Sequence, residues 1–491
     1  YNWLSMLIIY KQRSIIFACI YKLSKCIVMK IRKLQFNNNK ILGNLELDFI
    51  NPATNVPYDT ILLVGENGVG KTTILTGISD FLSGQDLSMY FNSIEYAIDN
   101  EIITMSSIPG GQDSHQFIRR KNGEDETLSY GWNGNNGSNI EHMEQDTLDP
   151  RHYGSVISLP RSDFQTKKIN TVGVSELDTN NHEKDANNDF TSLKQLLVDL
   201  NSLDAEEFTE LHRKGTSITI EEFEERSRMS RFTKAFNDFF EDIAYSCVKG
   251  ENGQKEIYFE KFGKEVPIDS LSTGEKQIVF RGIYLLRNFN RLIGGVLLID
   301  EPELSLHPKW QNKILKYYQT LFTDPTTNNM QVQLIVATHS ERILSSAFKD
   351  LNSNGVLILK NNNGVVSAAT VNAPGVLPSV TSAETTYLAY EVATVDYHIE
   401  LFSYIQRNAT ASRELNVKET DDYILNHRLY NAAVHEHQDN FTNPRNLHTT
   451  TYMTLPTFVR NRIDHPNPND PYSYFQLQTS IDLMRNIIQN P

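Results

Sequence analysis

Residues 65–72 read Gly65-Glu66-Asn67-Gly68-Val69-Gly70-Lys71-Thr72, a match to the spacing G-x-x-x-x-G-K-[ST]. The apolar run Ile61-Leu62-Leu63-Val64 stands before it and predicts a buried strand. A helix is expected from Lys71 to about Leu82. Strand, glycine loop and helix in that order form the setting in which this pattern cradles phosphate. The glycines let successive backbone N–H groups turn inward, and the helix start adds its positive dipole end. Lys71 is then within reach of the β- and γ-phosphates of a nucleotide, with Thr73 in the same binding set. The Thr72 hydroxyl would ligate Mg2+. A loop that merely turns the chain is the bland alternative, and its two flanking elements disfavour it.

A magnesium partner is expected elsewhere, and Val296-Leu297-Leu298-Ile299-Asp300-Glu301 supplies one. Four apolar residues predict a buried parallel strand. Two carboxylates stand at its C-terminal end, where open α/β sheets bind ligands. Asp300 is assigned to Mg2+. Glu301 is assigned to the attacking water. Ser272-Thr273-Gly274-Glu275 reads locally as a helix start with a capping box. Ala337-Thr338-His339-Ser340 follows a second apolar strand, Val332–Thr338.

Phosphate loop, Leu271–Glu275, acidic pair and His339, in that order, resemble the heads of ABC-type ATPases. The resemblance implies an α/β fold with a parallel-core sheet and an antiparallel β subdomain. It implies ATP and Mg2+ as ligands and His339 as a switch residue at the γ-phosphate. It also implies a homodimer or higher homo-oligomer, in which Ser272, Thr273, Gly274 and Glu275 of one copy face the nucleotide of the other. The stretch Pro302-Glu303-Leu304-Ser305-Leu306-His307-Pro308 departs from the Ser-Ala-Leu-Asp of transporters and resembles the soluble, SMC-like group. Glu303 and His307 are candidates for the place of the missing aspartate. Gln112, Gln116, Gln145 and Gln165 all remain open as the family's glutamine loop.

The chain further resembles the PtuA-like ATPases of Septu and retron-associated anti-phage systems. The supporting stretches are NDFTSLKQLLVDL (Asn188–Leu200), YHIELFSYIQ (Tyr397–Gln406) and LPTFVRNRIDHPNP (Leu455–Pro468). This resemblance implies an HNH nuclease partner, PtuB-like, restrained while nucleotide is bound. In the retron version it implies a reverse transcriptase with its RNA–DNA hybrid.

The rest of the chain is organised around these motifs. Residues 29–370 read as the ATPase head. Met29–Phe49 is expected as a first hairpin. Residues 83–190 read as irregular with short strands such as Gly154–Leu159, and helices are expected over 191–214 and about 219–248. Together they make an irregular and helical insertion over about 83–250. Residues 371–383 are rich in Pro, Gly, Ser and Ala and read as a linker. Residues 384–491 read as a mostly helical docking and oligomerisation domain, with Tyr397, Leu401 and Tyr404 at helical spacing. Residues 1–28 hold two apolar runs split by Lys11-Gln12-Arg13, each too short to span a bilayer. Met29 reads as the natural start, with 1–28 as upstream or expression-derived sequence; a membrane anchor is the weaker reading.

Composition narrows the setting. The chain has 491 residues and a net charge of −14. That balance gives no global pull toward nucleic acid. Cys19, Cys26 and Cys247 are too few for a disulfide framework or a zinc site. A cytoplasmic protein with no membrane partner is expected.

A second functional class competes for the tail. Arg460 and His465 are spaced as in HEPN-like ribonucleases, which can be fused to ABC heads; Arg428 and His435 are a looser version. Against this, Pro466 and Pro468 should stop the helix at once. His465 then sits at a helix C-terminus, where an imidazolium interacts favourably with the dipole.

Overall fold

A computed structural model of the chain describes residues 27–491, apart from 100, 109–115, 130–142, 144, 162–163, 185–189, 252, 372–374, 411–412 and 443–448. The readings of residues 1–26 and of Gln112, and parts of the stretch read as irregular, lie outside the described residues.

Apolar runs build the centre. A seven-stranded sheet runs in the order 182–184, 155–158, 296–300, 333–338, 60–65, 354–362, 365–370. Its neighbours are parallel except for the last pair. Strands Thr60–Gly65, Val296–Asp300 and Gln333–Thr338 are buried along their whole length. Successive side chains point to opposite faces, and that alternation divides the interior in two. Leu62, Val64, Leu297, Ile299, Leu334 and Val336 enter one hydrophobic core, with helices 190–213, 230–239, 273–287 and 308–321. Ile61, Leu63, Val296, Leu298, Ile335 and Ala337 enter the other, with helix 71–82. A sheet covered on both faces needs no polar alternation.

Antiparallel β structure forms the second layer. Strands 46–48, 29–36, 91–98, 101–107, 116–121 and 124–129 make a six-stranded sheet. Met29–Phe36 pairs with Glu46–Asp48, as the hairpin reading expects. Residues 91–129 differ from their reading as irregular, since they supply four of the six strands. The Gln333 side chain joins the two sheets: its carbonyl accepts the Ile31 N–H at 2.8 Å, and its amide donates to the Ile31 carbonyl at 2.9 Å.

The helical expectation for 219–248 holds only in part. Helices span Ile220–Glu224 and Ser230–Phe239, and Ile243–Glu251 is a strand. It pairs with 254–261, which pairs with 264–267. Phe240 closes the helix in extended backbone, and Ile243, Ile257 and Phe259 then bury against the first core. Packing of that sheet face outweighs the helical spacing.

The tail has its own core. Tyr397, Leu401, Phe402, Ile424, Phe458, Val459, Ile481 and Met484 pack together. It is mostly helical, and a hairpin, 436–442 with 449–454, is added. The stretch read as a linker is partly ordered into this core. Leu377 is buried there, and the Glu384 carboxylate accepts the Gly375 and Val376 amides at 2.9 and 2.8 Å. Helix Ser382–Tyr390 belongs to both bodies: Ala383 and Tyr387 lie in the tail core, while Leu388, Ala389 and Tyr390 pack on the head. Among the described residues no helix is long and apolar enough to cross a membrane.

Candidate nucleotide-binding site

Register brings the motifs together. Asp300 pairs with Ala337, and Thr338 with Val64, so three neighbouring parallel strands end at one level. The chain leaves the first strand at Gly65 with φ 150°, where a Cβ would sit 2.4 Å from the Leu359 carbonyl oxygen. Only glycine fits that approach. Val69 is buried beneath the loop, while Glu66, Asn67, Gly68 and Thr72 are exposed. Thr73, in the same first turn, is half-buried. Gly70 has φ 93° and starts helix Lys71–Leu82.

Lys71 is buried. Its Nζ donates to the Gly65 carbonyl at 2.8 Å and the Glu66 carbonyl at 2.9 Å, so the amine closes the loop on itself. Burial pushes this amine down to about 8, against the opposing pull of Asp300, Glu301 and Glu303. The Thr72 hydroxyl donates to Asp300 Oδ2 at 2.7 Å. Asp300 is 1% exposed, and its Oδ1 is buried without a hydrogen-bond partner. Burial raises its carboxyl above the ordinary range, with the Thr72 bond opposing. An orphaned carboxylate oxygen beside an exposed hydroxyl fits a small hard cation. Thr72 and Asp300 would be its protein ligands, with phosphate oxygens and water completing the shell. Among the described residues no group of three or more His, Cys, Asp or Glu is disposed to hold a metal.

Glu301 follows with φ 41°, a left-handed conformation that an L-residue adopts at a cost. Its amide donates to the Ala337 carbonyl at 2.9 Å, which pins the turn to the next strand. Glu301 Oε1 then lies 3.6 Å from His339 Nε2, and the two side chains keep 34% and 28% of their surface exposed. Burial, with Lys71 adding to it, lowers His339 below its usual value, and Glu301 opposes. A neutral imidazole beside a carboxylate is suited to donate one N–H toward a phosphoryl oxygen.

The Ser272 segment has the expected local form. The Glu275 side chain accepts the Ser272 amide at 2.8 Å, and the Ser272 hydroxyl accepts the Glu275 amide at 3.4 Å. Glu275 also pairs with Lys261 at 2.7 Å. Ser272 and Thr273 are exposed at the start of helix Thr273–Arg287. A Cβ at Gly274 would lie 2.6 Å from the Ser305 carbonyl oxygen, so this glycine is fixed by the loop after the acidic pair. From the same helix, Gln277 donates to the Pro302 carbonyl and Arg281 to the Asp300 and Leu159 carbonyls.

Arg281 escaped the sequence reading, and so did the contact with His339 made by Glu303, a candidate for the place of the missing aspartate. Glu303 Oε1 accepts the His339 amide at 2.6 Å, and burial raises its carboxyl. Arg281 joins the acidic strand to the loop after strand Ser155–Ser158. Arg281 has no local motif, and only the sheet order brings either contact about. His307 is exposed and caps helix Pro308–Leu321, its Nδ1 accepting the Lys309 amide at 3.2 Å. Among the glutamines, Gln116 lies in the antiparallel sheet and Gln145 is exposed. Gln165 follows the strand that pairs with the acidic strand.

The tail pair is arranged otherwise. Helix Leu455–Asp464 ends with His465 as its C-cap, as the prolines require. Arg460 pairs with Asp464 at 2.7 Å. The His465 ring stacks on Phe441 at 5.0 Å. Among the described residues no hydrogen bond joins Arg460 to His465.

Comparison with known proteins agrees with the head. A family model described as "AAA domain, putative AbiEii toxin, Type IV TA system" matches residues 61–345. The chain is similar to the Septu protein PtuA of Bacillus mycoides (strain KBAB4), 24% identical, over 63% of this chain and 38% of that protein. It is also similar to the Septu protein PtuA of Bacillus thuringiensis, 24% identical, over 65% and 74%. The retron Ec83 probable ATPase of Escherichia coli is 30% identical over 36% of this chain and 33% of that protein. The chain thus spans well under half of the length of the first of these relatives and about three quarters of the second. Among solved structures, an Smc head bound to the C-winged helix domain of ScpA matches with a TM-score of 0.39 and 15% identity, over 70% of this chain and 97% of that one. With the family model covering more than half of its length, the chain belongs to the AAA-domain family described as putative AbiEii toxin, Type IV TA system.

Proposed function

We propose that the chain binds and hydrolyses ATP, as the ATPase subunit of a PtuA-like anti-phage defence complex. The carrying observation is the convergence of Lys71, Thr72, Asp300, Glu301 and His339 at the ends of three adjacent strands. In this reading the loop amides and Lys71 bind the β- and γ-phosphates, displacing the Lys71 amine from the Gly65 and Glu66 carbonyls. Thr72 and Asp300 would hold Mg2+, which supplies charge neutralisation at the phosphates. Glu301 accepts a proton from a water as its oxygen attacks the γ-phosphorus, and the bond to the β-phosphate oxygen breaks. His339 donates to a γ-phosphate oxygen. The products are ADP and phosphate.

Two copies would enclose the nucleotide, with Ser272 and the Gly274 amide of one helix N-terminus meeting the γ-phosphate bound by the other. Exposure of Ser272 and Thr273 supports this, because their own cap is satisfied while their outer surface is free. The similarity to PtuA and to a retron ATPase supports the defence role. It also supports an HNH nuclease as partner, joined in a retron by a reverse transcriptase and its RNA–DNA. The tail would be the docking surface.

Glu301→Gln tests the chemistry. It should bind ATP with nearly parental affinity, lower kcat at least about a hundredfold, and lengthen the life of the ATP-bound dimer. Parental turnover by this variant would sink the assignment of the base.

A further inference from the structure

Thr338 and His339 share one peptide group, and both of its polar atoms are held by side chains. Glu303 Oε1 accepts its N–H at 2.6 Å, and the Tyr390 hydroxyl donates to its C=O at 3.2 Å. The two grips come from different parts of the molecule. Glu303 is in the loop after the acidic pair, 36 residues before His339. Tyr390 is the last residue of helix Ser382–Tyr390, 52 residues after Thr338. The Tyr390 ring also lies 6.4 Å from the His339 imidazole.

A buried tyrosine hydroxyl usually finds an acceptor, and that alone would carry nothing. Three observations go further. The acceptor chosen is the peptide that sets the direction of His339. The opposite end of that peptide is bound by a carboxylate next to the proposed site. The helix that carries Tyr390 is packed into both hydrophobic cores, with Tyr387 in the tail core and Ala389 in the head core. That helix ends immediately at Glu391, which has φ 55°. A shift of the tail therefore reaches the His339 peptide through one short rigid element, and a shift of His339 toward a phosphate travels back the same way.

We propose that Tyr390 is a positioning residue that couples the nucleotide site to the C-terminal module by clamping the Thr338–His339 peptide against Glu303. The coupling deepens the ATP-hydrolysis reading above and rests on it for its kinetic consequence. Tyr390 touches neither nucleotide nor water in the reaction. It orients His339, and it makes that orientation conditional on where the tail sits.

Tyr390→Phe is the informative variant, because it deletes one hydroxyl and keeps the packed ring. Steady-state ATP hydrolysis should show kcat lowered about fivefold, the scale of one neutral hydrogen bond, with KM for ATP within about twofold of parental. Hydrogen exchange over residues 382–408 should change when a non-hydrolysable ATP analogue binds the parental protein. In Tyr390→Phe that change should fall by at least half. An unaltered kcat, or a parental tail indifferent to the analogue, overturns the proposal. So does a variant whose kcat and KM worsen together with a lowered unfolding midpoint, the signature of a merely structural hydroxyl. If the parental protein binds the analogue and turns over no ATP, the hydrolysis reading fails instead, and the exchange measurement still decides the coupling.

Discussion

The loop Gly65–Thr72 and the tail stretch Leu455–Pro468 each carry a short polar pattern that chemistry could use. Their surroundings differ. Around the loop, buried strands deliver Asp300, Glu301 and His339 to the same level, and a buried oxygen of Asp300 is left without a partner. Around the tail stretch, Arg460 is spent on Asp464, Asn461 bonds to Asp439, and His465 lies flat on Phe441. In the first place polar groups converge on space. In the second they are satisfied among themselves, which is what packing and capping alone require.

The sharpest way to break this contrast is Lys71→Ala. ATP binding, measured by titration calorimetry, should weaken by at least about a hundredfold, since the main cation at the phosphates is gone. Retained affinity would make the loop an ordinary turn. The same amine gives a pH signature. Burial disfavours the charge and holds the amine at about 8 in the free protein, below the usual lysine range. Phosphate binds the protonated form. Kd for ATP should therefore be flat below pH 7 and rise about tenfold per pH unit above 8. A flat profile to pH 9.5 would remove Lys71 from phosphate contact.

For the tail the expected effects concern stability. His398 is fully buried, with Nε2 2.8 Å from the Ser480 hydroxyl, and burial lowers its pKa to about 3. The unfolded chain binds its proton near pH 6.5, so the folded tail keeps this contribution above 6.5 and loses it as pH falls toward 3. Between pH 7 and pH 5 the tail should lose about 2 kcal/mol. Urea unfolding followed by exchange over residues 395–489 measures it, and His398→Gln should flatten the difference. The smallest effect belongs to Arg460→Ala. Loss of one half-exposed i,i+4 pair should cost about 0.3–0.5 kcal/mol and leave ATP turnover unchanged. Purified parental protein should leave tRNA intact. Cleavage of tRNA that disappears on Arg460→Ala would erase the contrast and make the tail an active site.

What could be read in the sequence follows from the same physics. Strands buried on both faces are uninterrupted apolar runs, so 61–64, 296–299 and 334–337 are visible, and the motifs at their ends come with them. The strands of the second sheet over 91–129 are not visible in that way. Glu124–Thr127 is exposed, and Phe91–Ile98 mixes Asn, Ser and Glu among its apolar residues, so neither alternates cleanly. Strand Ile243–Glu251 was hidden by the helical spacing just before it. Tyr390 carries no pattern at all, and the stretch that holds Glu303 does not show which group its carboxylate meets. The bonds of Glu303 and Tyr390 to the Thr338–His339 peptide span 36 and 52 residues and exist only once the sheet order and the tail docking are known.

Helix Ser382–Tyr390 bears as well on how such molecules can be recombined. Because its two faces belong to two cores, a foreign tail joined after residue 370 would have to bring a helix that fits the head on one side and itself on the other. A junction after Glu391 leaves the head whole and asks nothing of the newcomer except a compatible surface on the tail side of the helix. The natural seam for exchanging one output module for another therefore runs after this helix, and the glycine- and proline-rich stretch before it is a poor place to cut.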